Sequence, residues 1–166
     1  MSIFAGLLVF LATILAMEIV AYVAHRWVMH GFGWFLHASH HRPRTGFWEM
    51  NDWYFVMFAA PSIALLIGGT SGMMDVWATW MGAGIAGYGA IYLGFHDLIV
   101  HKRLNHRYIP KSAYMKRIIQ AHRLHHVVET KAGTVSYGFL WAPKPEDLKA
   151  ELQARGNAGV RASSGI

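Results

Sequence analysis

The 166-residue sequence contains no cysteine, and only 14% of its residues are charged. Without thiolates the chain cannot form a disulfide, an iron–sulfur cluster of its own, a CxxC zinc site or a cysteine nucleophile. A content of 54% hydrophobic residues and a mean hydropathy of +0.27 exclude a disordered chain. The apolar residues are gathered in long blocks, which indicates a membrane protein. Any bound metal must therefore be held by nitrogen or oxygen.

Three long apolar segments are predicted to cross a membrane as helices. Ser2–Val23 contains one charge, Glu18, whereas Trp53–Gly69 and Val76–Phe95 contain none. Each segment has a length that can span a bilayer core. The short connection Thr70–Asp75 predicts a tight helical hairpin between the last two spans. Because no basic residue precedes the first segment, we expect it to be a span and not a cleaved signal peptide.

The basic residues indicate the orientation of these spans. All fifteen lysines and arginines lie between residues 25 and 52 or after residue 100. Under the positive-inside rule both regions are cytoplasmic, and the N-terminus and the 70–75 hairpin are outside. The net charge of +6 is therefore expected to bind anionic lipid at the membrane surface, and nucleic acid is not an expected partner.

Ten of the eleven histidines fall in four short motifs. The motifs HRWVMH and HDLIVH have the spacing HxxxxH. Each is followed by a motif with the spacing HxxHH, which is HASHH after the first and HRLHH after the second. The pair HxxxxH then HxxHH thus occurs twice, each time after an apolar segment. The ten histidines are His25, His30, His37, His40, His41, His96, His101, His122, His125 and His126.

The spacing of these motifs predicts metal binding. On a helix, HxxHH places three imidazoles on one face, as a metal site needs. In HxxxxH the two imidazoles lie about 140° apart on an α-helix, so either they serve different metals or the helix is broken or bulged between them. Ten nitrogens are too many for one ion and fit two, and imidazole suits iron, zinc, copper and nickel. Two such metals beside apolar helices suggest oxidation of a lipid-dissolved substrate with O2.

The motif series resembles the bacterial β-carotene 3-hydroxylases, within the membrane fatty-acid hydroxylase and sterol desaturase superfamily. The resemblance covers roughly residues 15–143 and includes HRPRTGFWEMND, HDLIVHKRLNHRYIP and QAHRLHHVVETKAGTVSYGFLWAP. It implies a non-haem diiron monooxygenase of the bacterial inner membrane that hydroxylates carbon 3 of β-ionone rings, converting β-carotene through β-cryptoxanthin to zeaxanthin. By the same resemblance the ten histidines above are the iron ligands and catalytic residues. His106 lies outside the motifs, where similar sequences have an aromatic residue, and is not expected to be a ligand.

The predicted fold is an all-α integral membrane protein with about three long transmembrane helices and a cytoplasmic, histidine-rich helical cap that holds a dinuclear metal site. Residues 1–156 form one hydroxylase domain, with a last helix that begins at Pro145, and residues 157–166 are expected to be a disordered tail. No nucleotide, flavin or iron–sulfur motif is present, so electrons are expected from a separate carrier, a reduced ferredoxin.

Three alternatives remain open at this stage. Within the superfamily, the chain could be a carotenoid 4-ketolase or another lipid hydroxylase or desaturase. A protein of a different class, a non-enzymatic bis-histidine haem protein or a metal transporter, would also be rich in histidine. A haem needs only two histidines, and a transporter would have ligands distributed across its spans.

We also propose roles for several residues outside the histidine motifs. Glu18 lies seven residues before His25, so on one helix it could accept a hydrogen bond from that imidazole. Asp52, Asp97 and Glu129 lie near the histidine motifs and could orient ligands in the same way. The third span contains a glycine series that favours close helix packing, or a groove for a flat polyene: Gly82, Gly84, Gly87 and Gly89. Residues 135–141 are too short to span and are expected at the interface, beside a substrate entrance.

Overall fold

The computed structural model describes residues 1–162, and the regular structure in this part is helical apart from an isolated antiparallel β-bridge between Val128 and Val160. The α-helices are α1 (Ile3–Val23), α2 (Trp34–His37), α3 (Asp52–Thr70), α4 (Trp77–Tyr92), α5 (Ala113–His126) and α6 (Pro145–Ala154). A 3-10 turn, Ala38–His41, follows α2. The all-α prediction is confirmed.

Three helical segments are long and apolar enough to cross a membrane, as the sequence predicts. They are Ile3–Phe32, Asp52–Thr70 and Trp77–Val100. Large apolar side chains on the first of them, such as Leu15 and Ile19, are 69% and 67% exposed and are suited to contact lipid chains. The first and third segments are longer than the apolar runs alone, because each continues beyond its α-helix into a histidine motif.

These continuations, Ala24–Phe32 and Leu93–Val100, are π-helical. A π turn joins residue i to residue i+5 and occurs as a bulge inside α-helices, often at functional sites. The backbone N–H of His101 accordingly donates to the carbonyl of His96 at 2.9 Å, so the bond closes between the two histidines of one HxxxxH motif. In the first continuation Gly31 leaves helical geometry, at φ −109° and ψ −128°, and the chain turns into α2.

The three spans pack through the glycines of α4. A Cβ on Gly84 would lie 2.6 Å from Cβ of Thr13 and 2.9 Å from the carbonyl oxygen of Phe10, so α4 touches α1 backbone to backbone. On another side, the Ser62 hydroxyl of α3 donates to the Gly82 carbonyl at 2.8 Å. A Cβ added at Gly89 would have no neighbour within 4 Å, so this position faces open space. Both roles expected of the glycine series, close packing and a groove, are therefore present in α4.

A small cap lies at the end of the bundle where α1 and α4 finish and α3 begins. Its core is formed by α5, α6 and the segment between them, with Ile118, Val128, Leu148 and Leu152 among the most buried side chains. The Ser112 side chain accepts from the backbone N–H of Met115 and caps the N-terminus of α5. The cap thus has an apolar core of its own, adjoining the spans.

The C-terminal segment differs from the tail expected over 157–166. The N–H of Glu129 donates to the Gly159 carbonyl at 2.9 Å, and the N–H of Arg161 donates to the Val127 carbonyl at 2.8 Å. Arg161 and Glu129 also form an ion pair. Residues 159–161 therefore pair with residues 127–129 after α5, a non-local contact without a periodic sequence signal. Residues 163–166 lie outside the described part of the chain.

The close approach of α1 and α4 predicts unequal effects of two glycine substitutions in α4. Gly84→Ala introduces a methyl group against Thr13 and Phe10, and overpacking of this kind costs about 1–3 kcal/mol. Gly89→Ala meets open space and removes a flexible residue from a helix, so we expect no loss of stability. Thermal unfolding in detergent measures the difference. Equal melting temperatures for the two variants would contradict the packing described here.

Candidate metal centre

The ten motif histidines converge at the boundary between the spans and the cap. The first histidine group consists of His25, His30, His37 and His125, and the second histidine group consists of His40, His96, His101, His122 and His126. Within each group one nitrogen of every ring lies within 4.8 Å of the others. His41 lies between the groups, with its Nε2 3.2 Å from that of His37 in the first group. The structure therefore brings together all ten histidines that the sequence predicts.

Each HxxxxH motif contributes both of its histidines to one group. The ring centroids of His25 and His30 are 5.3 Å apart, and those of His96 and His101 are 4.5 Å apart. The structure shows the bulged helix, one of the two alternatives for this spacing, and it places both histidines of each motif in one group. The π turn is the physical reason, because residues five apart lie one turn apart on the same side of it.

The HxxHH motifs are shared between the groups, which differs from the single patch that the sequence suggests. The outer histidines of HRLHH, His122 and His126, belong to the second group, but the middle one, His125, belongs to the first. In HASHH the pattern is reversed, because His40 reaches the second group, where its Nε2 is 2.9 Å from that of His96. His125 Nε2 is correspondingly 3.2 Å from that of His30. The two halves of the repeat thus exchange one histidine each.

The rings of the first group are oriented by neutral oxygen acceptors. The Nδ1 atoms of His25, His30 and His125 donate to the backbone carbonyls of Tyr137, Lys131 and Val135, each at 2.9 Å. His41 Nδ1 donates to the Val128 carbonyl at 2.7 Å, and His37 Nδ1 donates to Asn51 Oδ1 at 2.6 Å. With Nδ1 protonated in this way, the Nε2 lone pairs point inward.

In the second group, two of the rings have a carboxylate as the partner of Nδ1. His40 Nδ1 is 2.9 Å from Glu49 Oε2, and His96 Nδ1 is 2.7 Å from Asp97 Oδ1. Arginines stand behind both acids, since Arg44 pairs with Glu49 at 3.0 Å and Arg103 pairs with Asp97 at 2.9 Å. A carboxylate partner raises the basicity of an imidazole more than a carbonyl does. The two groups therefore differ in their electrostatic surroundings although their histidines are equivalent.

The imidazoles of the cap are neutral as well as oriented. Burial, followed by repulsion from His30, lowers the pKa of His41 to about 3. Burial is also the largest cause of the lowered pKa of His40 and His125, followed by their histidine neighbours. Metal binding requires the unprotonated ring nitrogen, so these groups need no proton release to bind a metal near neutral pH.

The donor set fits two metal ions of the kind that imidazole prefers. Pairs of Nε2 atoms lie 2.9–3.2 Å apart within the groups. Neighbouring ligands around one ion with metal–nitrogen bonds of about 2.0–2.1 Å are spaced in this way. In seven of the rings the outer Nδ1 atom is already bonded to the protein, which leaves Nε2 as the atom that can bind a metal. Nitrogen-only donors favour iron, zinc or copper over magnesium or calcium.

The predictions for the other candidate residues differ in how well they agree with the structure. Asp97 contacts the ligand ring of His96, as predicted. Glu18 does not contact His25: its Oε1 accepts from the backbone N–H groups of Phe139 and Leu140, at 2.9 Å each. The helix geometry allowed the expected pair, but the segment 138–141 lies closer to the carboxylate. His106 lies outside both groups, with its Nε2 3.3 Å from the Ile99 carbonyl.

Asp52 and Glu129 were predicted to orient ligand histidines, but their carboxylates pair with arginines. Asp52 pairs with Arg103, at 2.6 Å between Oδ1 and the guanidinium, and Glu129 pairs with Arg161. The residues that sequence reasoning missed are Glu49 and Asn51, which lie in the segment HRPRTGFWEMND after the first HxxHH. The available signal was the position of these two polar residues among Phe47, Trp48 and Met50, directly after the first HxxHH motif.

An apolar cavity of about 400 Å³ lies between α1, α3 and α4. Its lining runs from Leu66 and Ser62 near the middle of α3 to Tyr92 and Phe139. The Phe139 ring is stacked on His25, with centroids 5.5 Å apart, and it also meets His96 edge-on at 5.3 Å. Phe139 thus touches both groups and lines the cavity. It is the residue of the segment 135–141 that reaches this cavity.

Comparison with known proteins agrees with this geometry. A sequence model of the family Fatty acid hydroxylase matches residues 10–143. The beta-carotene hydroxylase of Pantoea ananas is 47% identical over 156 residues, which are 94% of this chain and 88% of that protein. That of Pseudescherichia vulneris is 46% identical over 89% of this chain and 83% of its own length. Beta-carotene 3-hydroxylase 2 of Arabidopsis thaliana, a chloroplastic protein, is 36% identical over 84% of this chain and 48% of its own length. No solved structure matches the chain.

The division of the histidines into two groups predicts how substitution of a group member and of an outside histidine changes the metal content. His40→Ala should weaken metal binding by the second group by more than the roughly 10–100-fold that loss of an outer hydrogen-bond partner costs. His106→Ala should leave the metal content unchanged, because this ring contacts neither group. Metal analysis of equal amounts of purified protein measures both. Loss of metal on changing His106, with normal content on changing His40, would show that the ligands come from other histidines.

Proposed function

The chain belongs to the fatty acid hydroxylase family, and we propose that it is a carotenoid ring hydroxylase whose two histidine groups hold two non-haem iron ions. The carotenoid substrate rests on the beta-carotene hydroxylases of Pantoea and Pseudescherichia, which match this chain over most of its length. One observation carries the chemistry: ten imidazoles converge at one end of the membrane spans, and Phe139, which lines the apolar cavity between those spans, contacts both histidine groups.

The proposed reaction takes place at carbon 3 of the β-ionone ring and converts β-carotene through β-cryptoxanthin to zeaxanthin. One C–H bond becomes C–OH, one oxygen atom of O2 enters the product and the other leaves as water. Two electrons and two protons are consumed for each hydroxyl group formed. When bound, the irons would supply the reduction of O2 that attack on an unactivated C–H bond requires.

The residues of the chain have three tasks in this proposal. The first group with His41, and the second group, would each supply five imidazoles to one iron. The carbonyls of residues 128–137 and the acids Glu49 and Asp97 hold the ligand rings in place. The cavity binds an apolar ring by burying its surface and keeps water from the reacting carbon.

The electrons would come from a small acidic carrier, a reduced ferredoxin. The sequence contains no nucleotide or flavin motif of its own. The part of the cap near the second group has exposed basic side chains, among them Lys102, Arg107, Lys116 and Arg123. A basic surface attracts an acidic partner and speeds their encounter. We place this face in the cytoplasm of a bacterial inner membrane, following the distribution of basic residues.

The geometry disfavours the alternatives of a different class. The axial ligands of one haem would lie about 4 Å apart across the ring plane, with about 2 Å from each nitrogen to the iron. The closest Nε2 pairs here are 2.9–3.2 Å apart, which leaves no room for a porphyrin between them. A metal transporter needs ligands along its spans, whereas these histidines lie at one end of the bundle.

Expression in a host that accumulates β-carotene tests the function. We expect β-cryptoxanthin and then zeaxanthin, identified by chromatography and mass, and about two iron atoms per chain in active protein, because two histidine groups are present. A host with an empty vector is the control. Keto products at carbon 4, one iron per chain or a haem spectrum would each contradict the proposal.

The proposed orientation predicts opposite locations for the two termini. A reporter fused before Met1 should lie outside, and one fused after Ile166 should lie inside, because three spans separate them. Reporter pairs that are active only outside or only inside the cytoplasm measure this in intact cells. Both termini on one side of the membrane would contradict the three-span arrangement.

A further inference from the structure

The one carboxylate within the first span, Glu18, has a set of partners that neither metal binding nor span packing requires. Its Oε1 accepts from the backbone N–H groups of Phe139 and Leu140 at 2.9 Å and from that of Trp141 at 3.3 Å. Its Oε2 accepts from the hydroxyl of Tyr88 in α4 at 2.8 Å. A charged group in a membrane span is costly unless it is paired, and here four donors converge on it. Glu18 therefore ties three separate parts of the chain together.

The segment held by Glu18 is fitted to this contact. A Cβ on Gly138 would lie 3.1 Å from Glu18 Oε1 and 2.5 Å from the carbonyl of Trp141, so a larger residue would push the turn away from the carboxylate. The three successive N–H groups point at one oxygen because the turn is tight. Fixing residues 139–141 also fixes the direction of the Phe139 side chain.

Phe139 is the residue through which Glu18 can influence the reaction. Its ring is 5% exposed, stacks on His25 of the first group and lies 5.3 Å from His96 of the second. The same ring, together with Tyr88, lines the apolar cavity. A substrate ring that enters the cavity meets this wall before it reaches the histidines. The distance to which the Phe139 ring extends into the cavity therefore decides which carbon of the substrate ring lies nearest to the metal centre.

We propose that Glu18 is a positioning residue that sets the site of hydroxylation, because it holds Phe139 and Tyr88 as the wall between the substrate cavity and the histidines. This inference rests on the proposed function and goes beyond it. A displacement of about 1 Å at a reacting centre can lower a rate about 10²-fold. Loss of the contact should accordingly alter the products and kcat more than the metal content.

The test compares variants of the full chain in a β-carotene-accumulating host. Glu18→Ala should lower the rate of zeaxanthin formation by roughly 10–100-fold and increase the share of products that are oxidised once or at other ring positions. Glu18→Gln should restore most of the wild-type product pattern, since its amide oxygen can still accept from the backbone N–H groups. Ile19→Ala is the matched control, because its neighbouring side chain faces outward and is 67% exposed.

A double-mutant cycle separates positioning from general destabilisation. Phe139→Leu should change the products in the same direction as Glu18→Ala, and the double variant should be no worse than the more severe single one. Tyr88→Phe removes one donor only and should give a smaller change of the same kind, which keeps the test open if Glu18→Ala does not accumulate. Each preparation is analysed for metal and for chain content.

Three results would overturn the inference. A wild-type product distribution in Glu18→Ala and Tyr88→Phe would show that the contact does not position the substrate. Loss of metal in these variants would show that Glu18 serves assembly of the metal centre. Fully additive effects of Glu18→Ala and Phe139→Leu would show that the two act separately. Absence of hydroxylated carotenoid from the wild-type chain would instead refute the proposed function, and so the two failures are distinguishable.

Discussion

The structure depends on ten imidazoles that face one another within a few ångströms. In seven of the rings Nδ1 has a partner on the outside, which directs Nε2 inward, and the chain supplies carbonyls, one amide and two carboxylates for this purpose. These partners come from the segment after α5 and from the loop before α3. Much of the cap is thus arranged around the outer faces of the histidine rings.

The membrane spans bring the histidines to this place by an unusual local geometry. Both α1 and α4 change to π-helix where they leave the apolar region, and the change turns an HxxxxH motif into a pair on one side. The exchange of His40 and His125 between the groups then ties the two repeats together. Each group therefore contains one histidine from the other half of the repeat, so the two groups form only as a unit.

The same bundle produces the substrate cavity. Close glycine contacts at Gly84 and Gly82 fix α4 against α1 and α3, and the open surface at Gly89 leaves the cavity between them. Glu18 connects this packing to the metal centre, since its carboxylate bonds to α4 through Tyr88 and to the segment that ends in Phe139. The first group has carbonyl and amide partners, and the second group has carboxylate partners at His40 and His96, so the two groups differ in their electrostatic surroundings.

The sequence by itself determined the spans, the ten-histidine set and the family, because long apolar runs and repeated motifs are local patterns that can be read along the chain. Tertiary structure alone decided how the histidines are divided. The position of His125 in the first group, the outer partners Glu49 and Asn51, and the contact of Glu18 with Phe139 join residues that are distant in sequence or that lie in irregular segments. The HxxxxH spacing left a bulged helix as one of two alternatives, and the folded backbone decided between them. Helical periodicity assumes a constant turn, and here the turn changes where the backbone brings the two imidazoles of one motif into the same group.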